Sequence, residues 1–508
     1  MTSPFSTRFV SRDFASHLIL GASVTPQTLS WSAFGGPDRA MLRMDGSLSQ
    51  LLKLAGLLRS PVFVDDLKAT PVWWGYVDQI TIYFEGSKFT ILLDQLFNKV
   101  KVTYSFISPD NRLADQLETA YASSAASQLE YGIREAVIHR LNLDEDFAEE
   151  FRDTFLELHQ WPTSVLSSLE TPGQVYAEVS CSGWFSTLAW QSYENLDGFY
   201  ANYGPGPGSF NFGVSGQRIP SQKFTPSVAC DLKYVYFLLR KNNSPTNDLT
   251  ARLYSDSGGA PNAVLASSSA VGGATLPSTG YSWIRFDFTP YTLSAATSYW
   301  VGVIAAPHAT NNFFIRIDEN ACYYQTGHYA KYYNAGTWYV IPNVTSPATY
   351  PDLHFRVICI NDTGSQLLSI ADAGDQFFAD ILSFNTNLDT SPFRSGQNTC
   401  LEEITTLMEL GTSNHRLILA TVTPNLILKF YEQPDITPTS FIDAKGKFYS
   451  SVGSPVLYYF PPIGQWVGLV STDRHVMPFD QHRVPTCFVQ HAEYDCISKI
   501  VRINKNYS

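Results

Sequence analysis

Apolar and polar side chains alternate at 40–45, directly after the turn Gly35-Gly36-Pro37-Asp38, and a period of two predicts a half-buried strand. Further strands are predicted at 16–20, 61–66, 71–84, 88–93 and 99–106, with a short helical piece at 51–58. Five or more strands in about 90 residues predict a small β-barrel over 1–110. The period then changes. Leu113, Leu117, Tyr121 and Ala125 keep helical spacing, and Tyr131, Ile133, Ala136, Val137 and Leu141 continue an apolar face. An acidic helix is predicted over 144–159, with Phe147, Phe151, Phe155 and Leu156 as its buried stripe. Asn142 or Asp144 is its candidate cap, and Pro162 follows its end. Residues 111–170 therefore read as a helical connector.

Strand patterning returns at 174–181 and 183–190, and Asn202-Tyr-Gly-Pro-Gly-Pro-Gly reads as a loop. Between 219 and 360, strand candidates recur roughly every 10–15 residues with Gly, Pro, Ser, Asn and Thr between them, the pattern of a jelly-roll or similar two-sheet sandwich. After Asn361-Asp-Thr-Gly the first texture resumes. A strand is predicted at 376–384 and a helix at 401–410 capped by Thr399. A hairpin is predicted at 416–422 and 426–431 around Thr423-Pro-Asn, followed by strands to 503. The expected fold class is mainly β with a minor helical part. The expected domains are an N-terminal β-barrel (1–110), the helical connector (111–170), a discontinuous second barrel region (171–198 and 363–508) and an inserted β-sandwich (199–362).

Composition sharpens this picture. The chain has 508 residues, 44% hydrophobic, 14% aromatic and 16% charged, with 28 Tyr and 33 Phe. Few charges and many stiff rings suit pleated sheets and subunit contacts rather than disorder. The net charge of −12 argues against a chain whose main partner is nucleic acid, although an acidic channel wall would let DNA pass without holding it. Met1-Thr-Ser-Pro-Phe-Ser is polar and no run of about 18 apolar residues occurs, so neither a secretory leader nor a membrane-spanning helix is expected. Seven scattered cysteines without a C-x-x-C predict buried free thiols.

Candidate chemistry is sparse. The acid pairs Asp65-Asp66, Asp144-Glu145-Asp146, Glu149-Glu150 and Glu402-Glu403 are adjacent in sequence, so their side chains diverge and do not flank one sugar as glycosidase carboxylates do. His475 and His482, with Asp473, Asp480 and His491, form the densest histidine group but lack metal-ligand spacing. No nucleophile elbow, phosphate loop or dinucleotide fingerprint occurs, so no catalytic residue, metal or cofactor is expected. Asn343-Val-Thr and Asn361-Asp-Thr are sequons that carry no weight without a leader. The aromatic run within the sandwich is different. Tyr324, Tyr329, Tyr333 and Trp338 are candidate glycan-stacking residues, and the alternative is that half of these rings point into the core.

At Pro71-Val-Trp-Trp-Gly-Tyr-Val-Asp the chain resembles a family of bacteriophage tail hub or baseplate proteins, of siphovirus type. Gly35-Gly36-Pro37, Ala126-Ser-Gln-Leu-Glu-Tyr-Gly-Ile-Arg-Glu, Cys181-Ser-Gly-Trp-Phe-Ser-Thr-Leu-Ala-Trp and Asn398-Thr-Cys-Leu-Glu-Glu-Ile continue the resemblance in order. The stretch 417–431, Pro462-Ile-Gly-Gln-Trp-Val and Phe488-Val-Gln-His-Ala-Glu-Tyr-Asp complete it. The resemblance implies two small β-barrels of tail-hub type and a structural, non-enzymatic subunit of the virion, made in the host cytoplasm. Such a subunit would form a ring with copies of itself, as a trimer or, for a distal tail ring, a hexamer. Its other partners would be the tail tube or distal tail protein, the tape-measure protein and tip or fibre proteins, with DNA passing through unbound. The insert resembles jelly-roll modules of sugar-binding proteins, which implies attachment to host-surface glycans. A glycan-active enzyme with an accessory sandwich is the remaining alternative.

Overall fold

In a computed structural model of the chain, the alternating stretch is a strand, Phe34–Asp45, that buries Ala40, Leu42 and Met44. The structure describes residues 5–105, 117–141, 143–168, 173–195, 199–202, 208–214, 219–226, 229–318, 330–341, 351–392, 394–434, 440–443, 448–450, 466–470, 486–498 and 500–503. Strand predominates over helix, and the chain is a mainly β protein with several sheets. It divides into two compact units, one of residues 1–193, 363–388 and 396–508, the other of 194–362 and 389–395.

The first unit is organised by a 14-stranded sheet. At its centre, Tyr176–Ser182 runs antiparallel between Phe34–Asp45 and Pro71–Phe84. Its inward residues Ala177, Val179 and Cys181 are fully buried, each opposite an apolar neighbour such as Leu42 and Ile80. Strands from the far end of the chain join the same sheet. His491–Asp495 pairs with Ser23–Ser32, setting Ala492 opposite Trp31, and Ile418–Val422 runs parallel to Phe34–Asp45. The strands expected in an N-terminal barrel and those expected in the discontinuous barrel region thus share one sheet. The helix Cys400–Leu410 begins with a complete capping box between Thr399 and Glu402 and buries Cys400, Ile404, Leu407 and Met408.

Several predicted elements differ. The stretch 183–190, read as a strand, is a 3-10 helix, Trp184–Trp190, because Trp184, Phe185, Leu188 and Trp190 all turn inward rather than alternate. The apolar face continued through 131–141 is not helical. Gly132, at φ +80°, ends the helix Ala125–Tyr131, and Glu135–Leu141 pairs in parallel with Lys99–Ser105. The helix Glu145–His159 is capped by Asp144, but Phe147 of its predicted stripe is 62% exposed and only Ala148 is buried. A helix not anticipated, Thr363–Gly374, precedes the short strand Asp380–Leu382 that remains of the one predicted at 376–384.

The second unit is a β-sandwich of an eight-stranded and a seven-stranded sheet. Phe237, Phe286, Phe313 and Phe355 of one sheet meet Phe224, Leu249, Leu253, Val301 and Val303 of the other in a common core. Each such ring contributes about 1.5–3 kcal/mol by leaving water. The sandwich runs from Glu194, five residues before the texture break expected at 199, to Asp362, and takes in the later segment 389–395.

Two features generate tests. Gly183 donates its amide to the Asp38 carbonyl at 2.6 Å, and a Cβ there would stand 1.7 Å from the Pro37 carbonyl oxygen. A Cβ on Gly75 would stand 2.2 Å from the Ser182 carbonyl oxygen. Gly75→Ala and Gly183→Ala should each cost more than about 2 kcal/mol, read as a lowered midpoint of urea unfolding. In the sandwich, His354 is buried and neither ring nitrogen has a hydrogen-bond partner among the described residues. Burial, with the nearby Arg316 guanidinium, pushes its pKa down to about 4. An unfolded chain takes up that proton near pH ~6.5, so the stability contributed by the neutral ring is full above that value and is lost as the pH falls towards the folded pKa. Between pH 6.5 and 4.5 the wild type should lose roughly 2 kcal/mol more stability than His354→Gln, measured as paired melts at both pH values.

Candidate functional site

Two of the four candidate stacking residues, Tyr324 and Tyr329, lie outside the described residues. The other two face each other across a hairpin. Lys331–Asn334 and Thr337–Val340 are joined by Ala335 and Gly336, both at positive φ, a two-residue loop whose twist suits a hairpin. Tyr333 pairs with Trp338, their rings 5.3 Å apart, and Trp338 meets the edge of Tyr254 at 5.8 Å. Both candidate rings are half-buried. Tyr332 turns the other way, into the core beside Phe210 at 5.2 Å, so the run is shared between core and surface.

Register extends this face across the seven-stranded sheet. Ile219–Phe224 sets Ile219 opposite Tyr333 and Lys223 opposite Trp300, and Trp300 lies opposite Tyr254. Trp300 donates its indole N–H to Asp256 at 2.6 Å, and the Lys223 ammonium stands 3.9 Å from the same carboxylate. The Lys331 ammonium sits 5.8 Å from the Trp300 ring centre, and burial lowers its pKa. On this face the half-buried Tyr333 and Trp338 rings stand beside the buried Tyr254 and Trp300 and near the Lys223–Asp256 ion pair; exposed ring faces and polar groups are the two components that hold a sugar ring and its hydroxyls. Sequence reading missed Tyr254, Trp300, Lys223 and Asp256. They come from three separate strands, and only the register unites them.

Several members of the acidic groups have structural partners. Asp65 is held by Arg8 at 2.7 Å, Asp66 accepts from the amides of Lys68 and Thr70, Asp144 accepts from the Phe147 amide, and Glu403 accepts from Asn398. Of the histidine group, Asp473, His475, Asp480 and His482 lie outside the described residues, and His491 begins a strand. Asn343 of the first sequon also lies outside them. Cys181, Cys230, Cys359, Cys400 and Cys496 are buried free thiols. Burial pushes the pKa values of Cys400 and Cys496 up to about 12, which keeps them protonated and poor nucleophiles.

A second surface of interest lies in the first unit. Among the described strands, Thr163–Ser168 pairs only with Ser87–Leu92, leaving its other edge open. Val165 and Leu166 on it are 55% and 67% exposed, and Leu141, Phe147, Leu158 and Trp161 are exposed in the segments before it.

No protein-family model matches the chain, and no curated protein matches it. Solved structures give distant likenesses. The mosquito-larvicidal Cry4Aa toxin from Bacillus thuringiensis is 8% identical over 57% of this chain, with a TM-score of 0.16, and the chain spans only 51% of the toxin's length. The Gt strain of infectious bursal disease virus is 10% identical over 66% of this chain and 82% of its own, and the VP2 subviral particle of that virus 9% over 66% and 81%, both with TM-scores of 0.16. None of these scores establishes a shared fold.

Proposed function

We propose that the chain is a structural subunit of a phage tail tip. In this reading the first unit assembles into a ring, and the Tyr333–Trp338 face of the second holds a host-surface glycan. The observation that carries the assembly is the Thr163–Ser168 edge. It contains neither charge nor proline, the usual devices that keep an open strand from pairing, and it exposes Val165 and Leu166. An edge of this kind in a folded chain calls for a neighbour to complete it.

The stretches that resemble tail proteins support the same reading, because they supply the frame of that unit. Trp73 of the Pro71–Phe84 strand is fully buried, and Trp74 donates its indole N–H to the Val422 carbonyl at 3.0 Å. The ring would join the tail tube or distal tail protein above and tip or fibre proteins below, meet the tape-measure protein, and let DNA pass without holding it. No step of this role needs catalysis, a metal or a cofactor.

Purified full-length protein should form a closed trimer by light scattering and negative-stain microscopy. Val165→Asp with Leu166→Asp should yield folded monomers. A wild-type monomer at micromolar concentration would refute ring assembly, and a hexamer would favour a distal tail ring. The glycan face is read separately. Neutral oligosaccharides should alter tryptophan fluorescence, and Trp338→Ala should weaken that binding by at least about tenfold, an aromatic anchor in a sugar contact being worth roughly 1.4 kcal/mol or more.

A further inference from the structure

The opposite face of the sandwich carries a different chemistry. Along Cys230–Asn242, the residues Val235, Phe237 and Leu239 are fully buried in the core, so Tyr234, Tyr236, Leu238 and Arg240 point away from it. Antiparallel register then builds rows across this face. Tyr234 lies beside Asp287 and Ile358, Tyr236 between Arg285 and Arg356, Leu238 beside Trp283, and Arg240 beside Phe314. His354 joins the Leu238 row through a backbone hydrogen bond, and Arg316 lies two residues along the strand from Phe314.

Each arginine lies over an aromatic ring. Arg285 stands 4.1 Å from the centre of Tyr234, Arg356 4.0 Å from Trp283, Arg240 4.4 Å from Phe314, and Arg316 5.5 Å from Tyr281. The rings hold the guanidinium planes in place, so less conformational entropy is lost when they bind. Among the described residues, the solvent-facing carboxylate between the Tyr234 and Arg240 rows is Asp287, paired with Arg285, while Asp318 and Asp352, next along their strands from Arg316 and His354, are fully buried. Asp231 and Asp362 lie beyond the Tyr234 end. Four guanidiniums against one solvent-facing carboxylate among the described residues is a reversal of sign in a chain of net charge −12.

The polar groups here are under-used. The buried Arg240 Nε and Tyr281 hydroxyl, like the His354 ring, have no hydrogen-bond partner among the described residues. The basic rows at Tyr236 and Arg240 are four residues apart, about 13 Å at ~3.3 Å per residue, and the row between them holds Trp283, Leu238 and Arg316, the last placed there because Phe314 lies opposite Arg240. Cations on this face are interleaved with uncharged rings and the chain as a whole is acidic at −12, whereas nucleic acid carries a phosphate on every nucleotide and favours a continuous run of cations. A polysaccharide with acids on only some of its sugars places carboxylates further apart, with uncharged rings to lie on Trp283.

We propose that this face docks an anionic polysaccharide. Guanidinium forks of Arg240, Arg285, Arg316 and Arg356 would take its carboxylates, and Trp283 would carry an intervening sugar. The site lies on the other sheet from Tyr333 and Trp338 and requires neither the ring nor that platform.

The test uses full-length protein and hyaluronan oligosaccharides, in which uronates alternate with uncharged sugars, with dextran and single-stranded DNA as comparison ligands. Titration calorimetry should show hyaluronan binding that Arg240→Gln with Arg356→Gln weakens at least tenfold. Arg285→Gln, an exposed change, should weaken it about threefold with an unchanged melting temperature, which guards against a folding artefact in the double variant. Trp338→Ala should leave the affinity within twofold. The proposal fails if hyaluronan does not bind, if the arginine variants bind as the wild type does, if dextran binds equally, or if DNA binds as tightly as hyaluronan. Loss of hyaluronan binding in Trp338→Ala would also overturn it, by moving the ligand to the other face.

Discussion

The first unit depends on one strand being trapped between two others. Tyr176–Ser182 shares both edges with strands more than 90 positions earlier in the chain, and its inward residues have no exposure at all. At its end the chain passes so close to Pro37 and Gly75 that no Cβ fits at Gly75 or Gly183. Such long-range pairing closes large loops before any contact compensates the entropy lost. The sheet is held by cooperative burial rather than by local preference. That is how a chain interrupted by a whole sandwich can complete its sheet with His491–Asp495 beside Ser23–Ser32.

This explains which parts of the fold were legible in the sequence. The helix Cys400–Leu410 was, because its cap and apolar face lie within one short stretch. So was the hairpin of Ile418–Val422 and Ile427–Glu432. The mainly β class and the change of texture inside the chain were also visible. Glu135–Leu141 was misread because its strand state is decided by a distant partner, Lys99–Ser105, and Gly132 was the local sign. Trp184–Trp190 was misread because a dense aromatic run has no clear period. The helix Thr363–Gly374 had a readable signal, with Leu367, Ile370 and Ala371 at helical spacing, yet a turn-like opening obscured it. At the glycan face, Tyr333 and Trp338 stood out by local density, whereas Tyr254, Trp300, Lys223 and Asp256 acquire meaning only through register.

The two faces of the sandwich use aromatic rings in two ways. On the seven-stranded sheet, rings pack on each other beside the Lys223–Asp256 pair. On the eight-stranded sheet, rings instead carry guanidiniums. Tyrosine and tryptophan can serve both ends because their faces are electron-rich and their edges are not. A low content of charge therefore does not imply surfaces of low charge. With only 34 Lys and Arg in 508 residues, grouping four Arg on one face sets its sign.

The same economy bears on the first unit. Its sheet shields many of its edges by pairing across the length of the chain, and among the described strands a few lie at the border. Thr163–Ser168 is one of those described and exposes Val165 and Leu166, yet the helix Glu145–His159 just before it is strongly acidic, with Glu145, Asp146, Glu149, Glu150, Asp153 and Glu157 all exposed. Like charges on neighbouring copies would repel in any arrangement that brings two such helices together. The apolar edge rewards contact, and the acidic helix restricts which contact is allowed. A ring in which each edge meets a different surface of its neighbour satisfies both conditions, whereas a face-to-face pair that juxtaposes the two acidic helices does not.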